Sequence, residues 1–255
     1  MQAMLFAAGK GTRLKPLTDT MPKAMVEVGG RPLIRRVIEK LKAAGTDRIV
    51  VNVHHFASQI TDYLKANDNF GTDIRISDET SRLLNTGGGI KKAEPLFDSS
   101  APILIHNVDI LSNLDLRAFY NLARGEEQTR SEGRHSADAV LLVSERKTQR
   151  YFLFNDDMML VGWTNIATGE VKSPFPDLDV SRCHKLAFAG IHVFSPRLFV
   201  MMREWPDEFG ITDFYIQACA THRIIGYAKP DLMLMDIGKL DTLAHAEEFL
   251  EKLKG

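Results

Sequence analysis

The chain has few cysteines, no long apolar run and no excess of charge of either sign. Two cysteines in 255 residues, Cys183 and Cys219, lie in separate segments and cannot build a disulfide framework or a thiolate metal site, and they point to a reducing compartment. No apolar run approaches the ~18 residues of a membrane span. The opening residues already read as a strand rather than a signal peptide, so a cytoplasmic chain without a membrane partner is expected. Lys and Arg number 32 against 33 Asp and Glu, which excludes the strongly basic surface of a general nucleic-acid binder. There is no Gly-x-Ser-x-Gly and no His-Glu-x-x-His, so acyl transfer at a serine and zinc proteolysis have no support. Hexapeptide repeats and low-complexity tracts are absent too.

What is present is an α/β pattern. A strand at Met4–Phe6 is followed by a helix begun by Arg31-Pro32 and capped by Gly45. Then come the continuous apolar strand 48–53, a helix over 58–64, a strand at 74–76, a helix over 90–96 and the strand 103–109. Alternation of this kind predicts a parallel sheet with right-handed crossovers. The second half is less regular. Strands are expected at 139–144, 151–154, 159–163, 185–194 and 232–236, a helix opens at Thr212-Asp213, and a terminal helix covers 242–253. The polar stretch 124–135 reads as an exposed loop. One domain is expected, with halves at about 1–123 and 137–255.

The chemistry begins in the segment Leu5 to Leu14. Two glycines one residue apart, Gly9 and Gly11, turn the chain sharply, and Lys10, Arg13 and Lys23 follow. Backbone amides in such a turn form a hollow for anions, and the cations suit several phosphate charges at once. It is not a P-loop, which needs four residues between its glycines. Nor is it a dinucleotide fingerprint, because Leu14 stands where a third small residue belongs, and this disfavours an NAD-dependent oxidoreductase. A second glycine-rich segment, Asn85-Thr86-Gly87-Gly88-Gly89, suggests backbone laid against a ligand. Asp109 and Asp236 each end an apolar strand, where open parallel sheets bind ligands. Paired carboxylates there fit Mg²⁺ bridged to nucleotide phosphates.

With Asn107-Val108-Asp109, Phe188-Ala189-Gly190-Ile191 and Met235-Asp236-Ile237-Gly238, these landmarks resemble the sugar-1-phosphate nucleotidyltransferase family in order and over nearly the whole chain. The nearest likeness is to its short uridylyltransferase and guanylyltransferase members. The resemblance implies a Rossmann-like three-layer fold with a mixed, mostly parallel central sheet, the half at about 1–123 binding nucleotide and the half at about 137–255 binding sugar. It also implies an enzyme joining an NTP, most readily UTP or GTP, to a sugar 1-phosphate such as N-acetylmuramate or mannose 1-phosphate, as a monomer or homodimer.

Carried over by position, Arg13 and Lys23 are the catalytic cations. Ala7, Ala8, Gly9, Gly11 and Thr12 contact the nucleotide, the last three at its triphosphate. Asn85, Thr86, Gly87, Gly88 and Asn107 complete the nucleotide site, with Asn85 and Gly88 at the base. Gly190 and Ile191 face the sugar, and Asp109 and Asp236 hold Mg²⁺. Two positions depart from the family pattern: Val108 replaces a usual glycine, and Asn85 replaces a glutamate. The alternatives are a cytidylyltransferase for a phospho-alcohol such as phosphocholine, and a nucleotide-sugar-binding regulator without turnover. Arg146, Lys147 and Arg150 read as a solvated charge run, Trp163 as packing, His54 and His55 as loop decoration, and His106 as a satisfied strand-edge histidine.

Overall fold

A computed structural model of the chain describes residues 1–124 and 136–253; the loop expected at 124–135 therefore lies almost wholly outside the described residues. The strands are β1 (Gln2–Phe6), β2 (Glu27–Val28), β3 (Arg31–Pro32), β4 (Arg48–Val53), β5 (Asp73–Asp78), β6 (Ile103–Asn107) and β7 (Ile110–Ser112), then β8 (Ala139–Ser144), β9 (Arg150–Phe154), β10 (Leu160–Asn165), β11 (Glu170–Lys172), β12 (His184–Phe194), β13 (Ile224–Ala228) and β14 (Leu234–Asp236). The helices are α1 (Leu33–Ala43), α2 (Ala57–Ala66), α3 (Asn85–Ala93), α4 (Leu116–Arg124), α5 (Leu198–Met202), α6 (Ile211–Ala218), α7 (Leu240–Ala244) and α8 (Ala246–Lys252).

Ten of these strands form one sheet whose main path runs β11-β10-β9-β12-β6-β1-β4-β5, with β8 joined to β12 and β13 to β8. The amino-terminal part is parallel throughout: β1 lies between β4 and β6, and β5 flanks β4. β12 enters antiparallel to β6, β8 and β9, and β10 runs antiparallel to β9 and β11. With β13 parallel to β8, only β12 and β10 run against the common direction of the described strands. The mixed, mostly parallel sheet is thus as expected. It crosses the boundary between the two halves of the chain without a break, because β6 of the first half pairs with β12 of the second.

Alternate residues of each strand feed two cores. Ala3 and Leu5 of β1 pack with Leu33, Val37 and Leu41 of α1, Ile60 of α2 and Phe119 of α4 on one face. Met4 packs on the other with Ile90 of α3, Leu198 of α5 and Phe214 and Tyr215 of α6. A strand covered on both faces reads as a near-continuous apolar run, as β1, β4 and β6 do apart from Gln2, Arg48, Asn52, His106 and Asn107. The α1 helix ends in a left-handed Gly45 (φ 79°), whose amide donates to Lys42 O while Thr46 N reaches Leu41 O, the double bond of a glycine-terminated helix.

Several elements differ from expectation, among them β11, α5 and β13, which have no counterpart in the sequence reading. The glycine run lies inside α3 rather than before it, for a packing reason. A Cβ on Gly87 would stand 2.2 Å from the Phe209 ring, and one on Gly88 only 1.9 Å from Asp207 O. The terminal helix divides at His245 into α7 and α8. And α4, with no counterpart in the sequence reading, covers the sheet with Phe119 and Tyr120. Since Asp207 O is backbone and cannot rotate away, Gly88→Ala is expected to destabilise the fold by about 1–3 kcal/mol. For a chain of this size that lowers Tm by several degrees (~2–4 °C per kcal/mol). A melting curve with unchanged Tm would show that the 207–209 segment is not seated on α3.

Candidate functional site

The carboxyl ends of β1, β4 and β6 lie side by side, with Phe6 in register with Asn52 and Asn107, so the segment leaving β1 is framed by side chains from both neighbours. Asn52 Oδ1 accepts the Ala7 and Ala8 amides at 2.8 and 3.3 Å, and its Nδ2 donates to Glu79 Oε1 at 2.7 Å. The other Glu79 oxygen accepts the Leu84 amide at 3.0 Å. Glu79 is fully buried and so ties the turn after β1 to the loop before α3. Gly11 is left-handed (φ 63°), and a Cβ there would press on Thr18 and Lys23. Gly9 is different: it is exposed, and nothing lies within 4 Å of where its Cβ would be. The fold does not require a glycine there, which leaves close approach of a ligand as the reason for one.

Asp109 and Asp236 are brought together by a short antiparallel pair. β14 lies against β7 with Asp236 opposite Ile110, and the Ile237 amide donates to Asp109 O at 2.8 Å. Lys23, largely buried, forms an ion pair with Asp109. Asp236 has no such partner. Its Oδ1 is buried and receives no hydrogen bond, and its carboxyl is held above the ordinary range, first by burial and then by the charge of Asp109, with Lys23, Arg13 and Arg146 opposing. Arg13 Nη2 and Asp236 Oδ1 stand 2.8 and 2.6 Å from the position a Cβ on Gly238 would take, so that glycine makes room for both. Two acids, one of them with an orphaned buried oxygen, could contribute to the donor set of a hard divalent cation completed by phosphate oxygens. Among the described residues no group of three or more His, Cys, Asp or Glu could hold a metal on its own. Val108 fits without displacing the chain: its amide continues the sheet to Phe6 O at 3.1 Å, and its side chain joins the core.

A cavity of about 230 Å³ sits above this floor, lined by Ala8, Gly9, Lys23, Asn52, Asn85, Asn107 and Asp109 among others. A second, of about 540 Å³, opens towards the other half and is lined by Arg146, Arg150, Trp163, Lys172 and Phe188. Asn85 and Thr86 border both. Asn85 is left-handed (φ 62°), and Thr86 Oγ1 accepts the Ile211 amide at 3.0 Å.

Several expected site residues have other surroundings. The Gly87 and Gly88 amides donate to Phe209 O at 2.9 and 3.2 Å, so these glycines serve the α3 contact and their amides are not free for a base. Ile191 is fully buried in β12, opposite His106, and its side chain reaches neither cavity. Gly190 (φ 76°) faces Asn107, whose Nδ2 would lie 2.6 Å from a Cβ there. Thr12 and Arg13 are exposed on a short 3-10 turn beside the site. Conversely, Arg146, Arg150 and Trp163, read as solvent-facing or packing residues, line the second cavity. Asn52 and Glu79 were not singled out, since a polar residue inside or after a strand has no spacing that marks its partner. His106 is fully buried, bonded through Nδ1 to Asn107 O, with its pKa pulled down to about 4 by burial and by Lys40. His54 is bonded to Glu79 O.

A family model described as "Nucleotidyl transferase" matches residues 2–253. The chain is 31% identical over 249 residues to the N-acetylmuramate alpha-1-phosphate uridylyltransferase of Caulobacter vibrioides, covering 96% of this chain and 95% of that protein. It is 42% identical over 123 residues to the enzyme of the same name from Neisseria meningitidis, covering 48% of this chain and 53% of that one. Among solved structures, a UDP-glucose pyrophosphorylase complexed with UDP-glucose superimposes with a TM-score of 0.74 at 19% identity, covering 99% of each chain.

A carboxyl whose pKa is raised by folding holds its proton more tightly folded than unfolded, so ionising it costs stability as pH rises through that range. Asp236→Asn, in protein stripped of divalent cations, is therefore expected to melt above the wild type at pH 7. The gap should close as the pH is lowered and wild-type Asp236 takes up its proton. A variant melting below the wild type at pH 7 would show that Asp236 is not an unrelieved charge.

Proposed function

Because the chain belongs to the nucleotidyl transferase family, we propose that it transfers the nucleotidyl group of UTP to N-acetylmuramate 1-phosphate, releasing pyrophosphate. The observation that carries this reading is the meeting of the two cavities at Asn85 and Thr86, next to Lys23 and the paired acids. The full-length likeness to a protein of that named activity supplies the substrates. The smaller cavity, with the amide turn after β1, suits the nucleotide, and the larger, with its aromatic and cationic lining, suits the sugar phosphate.

The reaction asks little proton chemistry of the protein. An oxygen of the sugar phosphate forms a bond to the α-phosphorus of the NTP, the bond from that phosphorus to the bridging α–β oxygen breaks, and pyrophosphate leaves with the electron pair. A phosphate monoester is mostly dianionic near neutral pH (second pKa about 6), so no general base is needed. What remains is alignment and neutralisation of charge. Lys23 would bear on the α-phosphate, Arg13 on the departing pyrophosphate, and the amides around Gly9 and Gly11 on the remaining phosphate oxygens. Asn52 holds the first part of that turn in place. Asp109 and Asp236 are the residues that would hold Mg²⁺, which when bound supplies positive charge to the phosphates. The ion pair with Asp109 holds Lys23 in position. Asn85, left-handed at the border of both cavities, presents a side-chain amide able to donate and accept.

Pyrophosphate release measured over four NTPs and a panel of sugar 1-phosphates tests the reading. The largest kcat/KM is expected with UTP and N-acetylmuramate 1-phosphate, with activity abolished by EDTA and restored by Mg²⁺. Preference for GTP with mannose 1-phosphate would replace the substrates, and absence of release with every pair would favour a binding protein. Lys23→Ala should lower kcat on the order of 10²-fold, the usual cost of removing one preorganised transition-state contact; an unchanged kcat would remove it from the site.

A further inference from the structure

The charges lining the larger cavity are unevenly distributed. On one side Lys172 is engaged by two acids, Asp213 at 3.0 Å and Glu170 at 3.8 Å, with its ammonium 5.3 Å from the centre of the Trp163 ring. Those acids and that lysine offer hydrogen bonds to hydroxyl groups but little attraction for an anion. The opposite side, from the loop after β8 to the start of β9, carries Arg146 and Arg150 with no carboxylate partner among the described residues. Arg146 donates to Phe188 O at 3.1 Å, and its charge reaches Asp236, so it belongs to the end where the sugar phosphate meets the NTP. Arg150 lies four residues further on, in register with Asn165 of β10, and its guanidinium bonds to no described residue.

A sugar 1-phosphate brings one anionic group to this cavity, and Arg146 answers it. A second unpaired guanidinium is left over, planar and able to take a carboxylate in two parallel hydrogen bonds. We infer that Arg150 selects an acceptor whose sugar carries a carboxylate-bearing substituent in addition to the 1-phosphate. Trp163 and Phe188 provide the apolar walls between the two anions, and Glu170 and Asp213 remain for hydroxyl groups. The inference rests on the proposed reaction only in taking this cavity as the acceptor site, and it assigns that specificity to one side chain.

N-acetylmuramate 1-phosphate and N-acetylglucosamine 1-phosphate differ by the lactyl ether that carries the carboxylate, and they are the matched probes. Their affinities are to be measured by titration calorimetry on the full chain saturated with Mg²⁺ and a non-hydrolysable UTP analogue, for wild type, Arg150→Gln and Arg150→Lys. The wild type is expected to bind the carboxylate-bearing probe at least tenfold more tightly. Arg150→Gln should bring the two affinities within about twofold by weakening only the first, and Arg150→Lys should restore part of the difference. Affinity for the UTP analogue and Tm should not move. Equal wild-type affinities, a ratio unchanged in Arg150→Gln, or an equal loss for both probes would overturn the assignment. Because binding is read without turnover, a collapsed ratio in protein that releases no pyrophosphate would sustain the Arg150 assignment while refuting the catalytic reading.

Discussion

Like charges held close inside a protein repel, and burial deprives them of the water that would screen them. Asp109 and Asp236 are under that constraint, and the surrounding structure is arranged to impose and then relieve it. A strand from the end of the chain lies against the continuation of β6, and one backbone bond, Ile237 to Asp109, fixes the acids side by side. Lys23 neutralises one of them, while the other keeps an oxygen without a donor. The unmet group of the site is thus a buried carboxylate oxygen. On the proposed reading, binding energy from a cation and a polyphosphate would go into satisfying groups already in position, without the reorganisation that a flexible site would need.

The nucleotide side of the site has a second organising group of a different kind. Glu79 is a buried carboxylate that accepts from Asn52 and from the Leu84 amide, while Asn52 in turn accepts from Ala7 and Ala8. Through these bonds the turn after β1 and the loop before α3 share one anchor. Such networks are costly when partly satisfied and rigid when complete, and both Glu79 oxygens are engaged.

The amino-terminal half was legible in the sequence because strands covered on both faces are mostly apolar and the first helix is bounded by Pro32 and Gly45. β4 and β8 have the bounds that their apolar runs indicate. Asp109 follows the end of a strand of the main sheet, as the strand-end rule expects, whereas Asp236 lies on β14, outside that sheet, and reaches Asp109 only through the antiparallel pairing of β14 with β7. What could not be read depends on contacts distant in sequence. Nothing local to Gly87 and Gly88 reports the ring of Phe209, and with it absent their run resembles a ligand loop. Arg150 and Trp163 sit in a pattern typical of solvated or packed residues, and only the meeting of β9 with β10 turns them towards one cavity. Ile191 shows the converse error, since alternation along β12 sends its side chain into the core while Gly190, one residue earlier, stays beside Asn107.

The bonds between α3 and the segment before α6 have a consequence for how members of such a fold can diversify. The Thr86 hydroxyl and the Gly87 and Gly88 amides are fastened to Ile211 and Phe209, residues that belong to the half housing the larger cavity. A chimaera that exchanged one half for that of a relative would break this seam unless positions 84–88 and 207–211 travelled together. The two halves are in that sense inherited as a linked pair, and changes in one are constrained by the packing of the other.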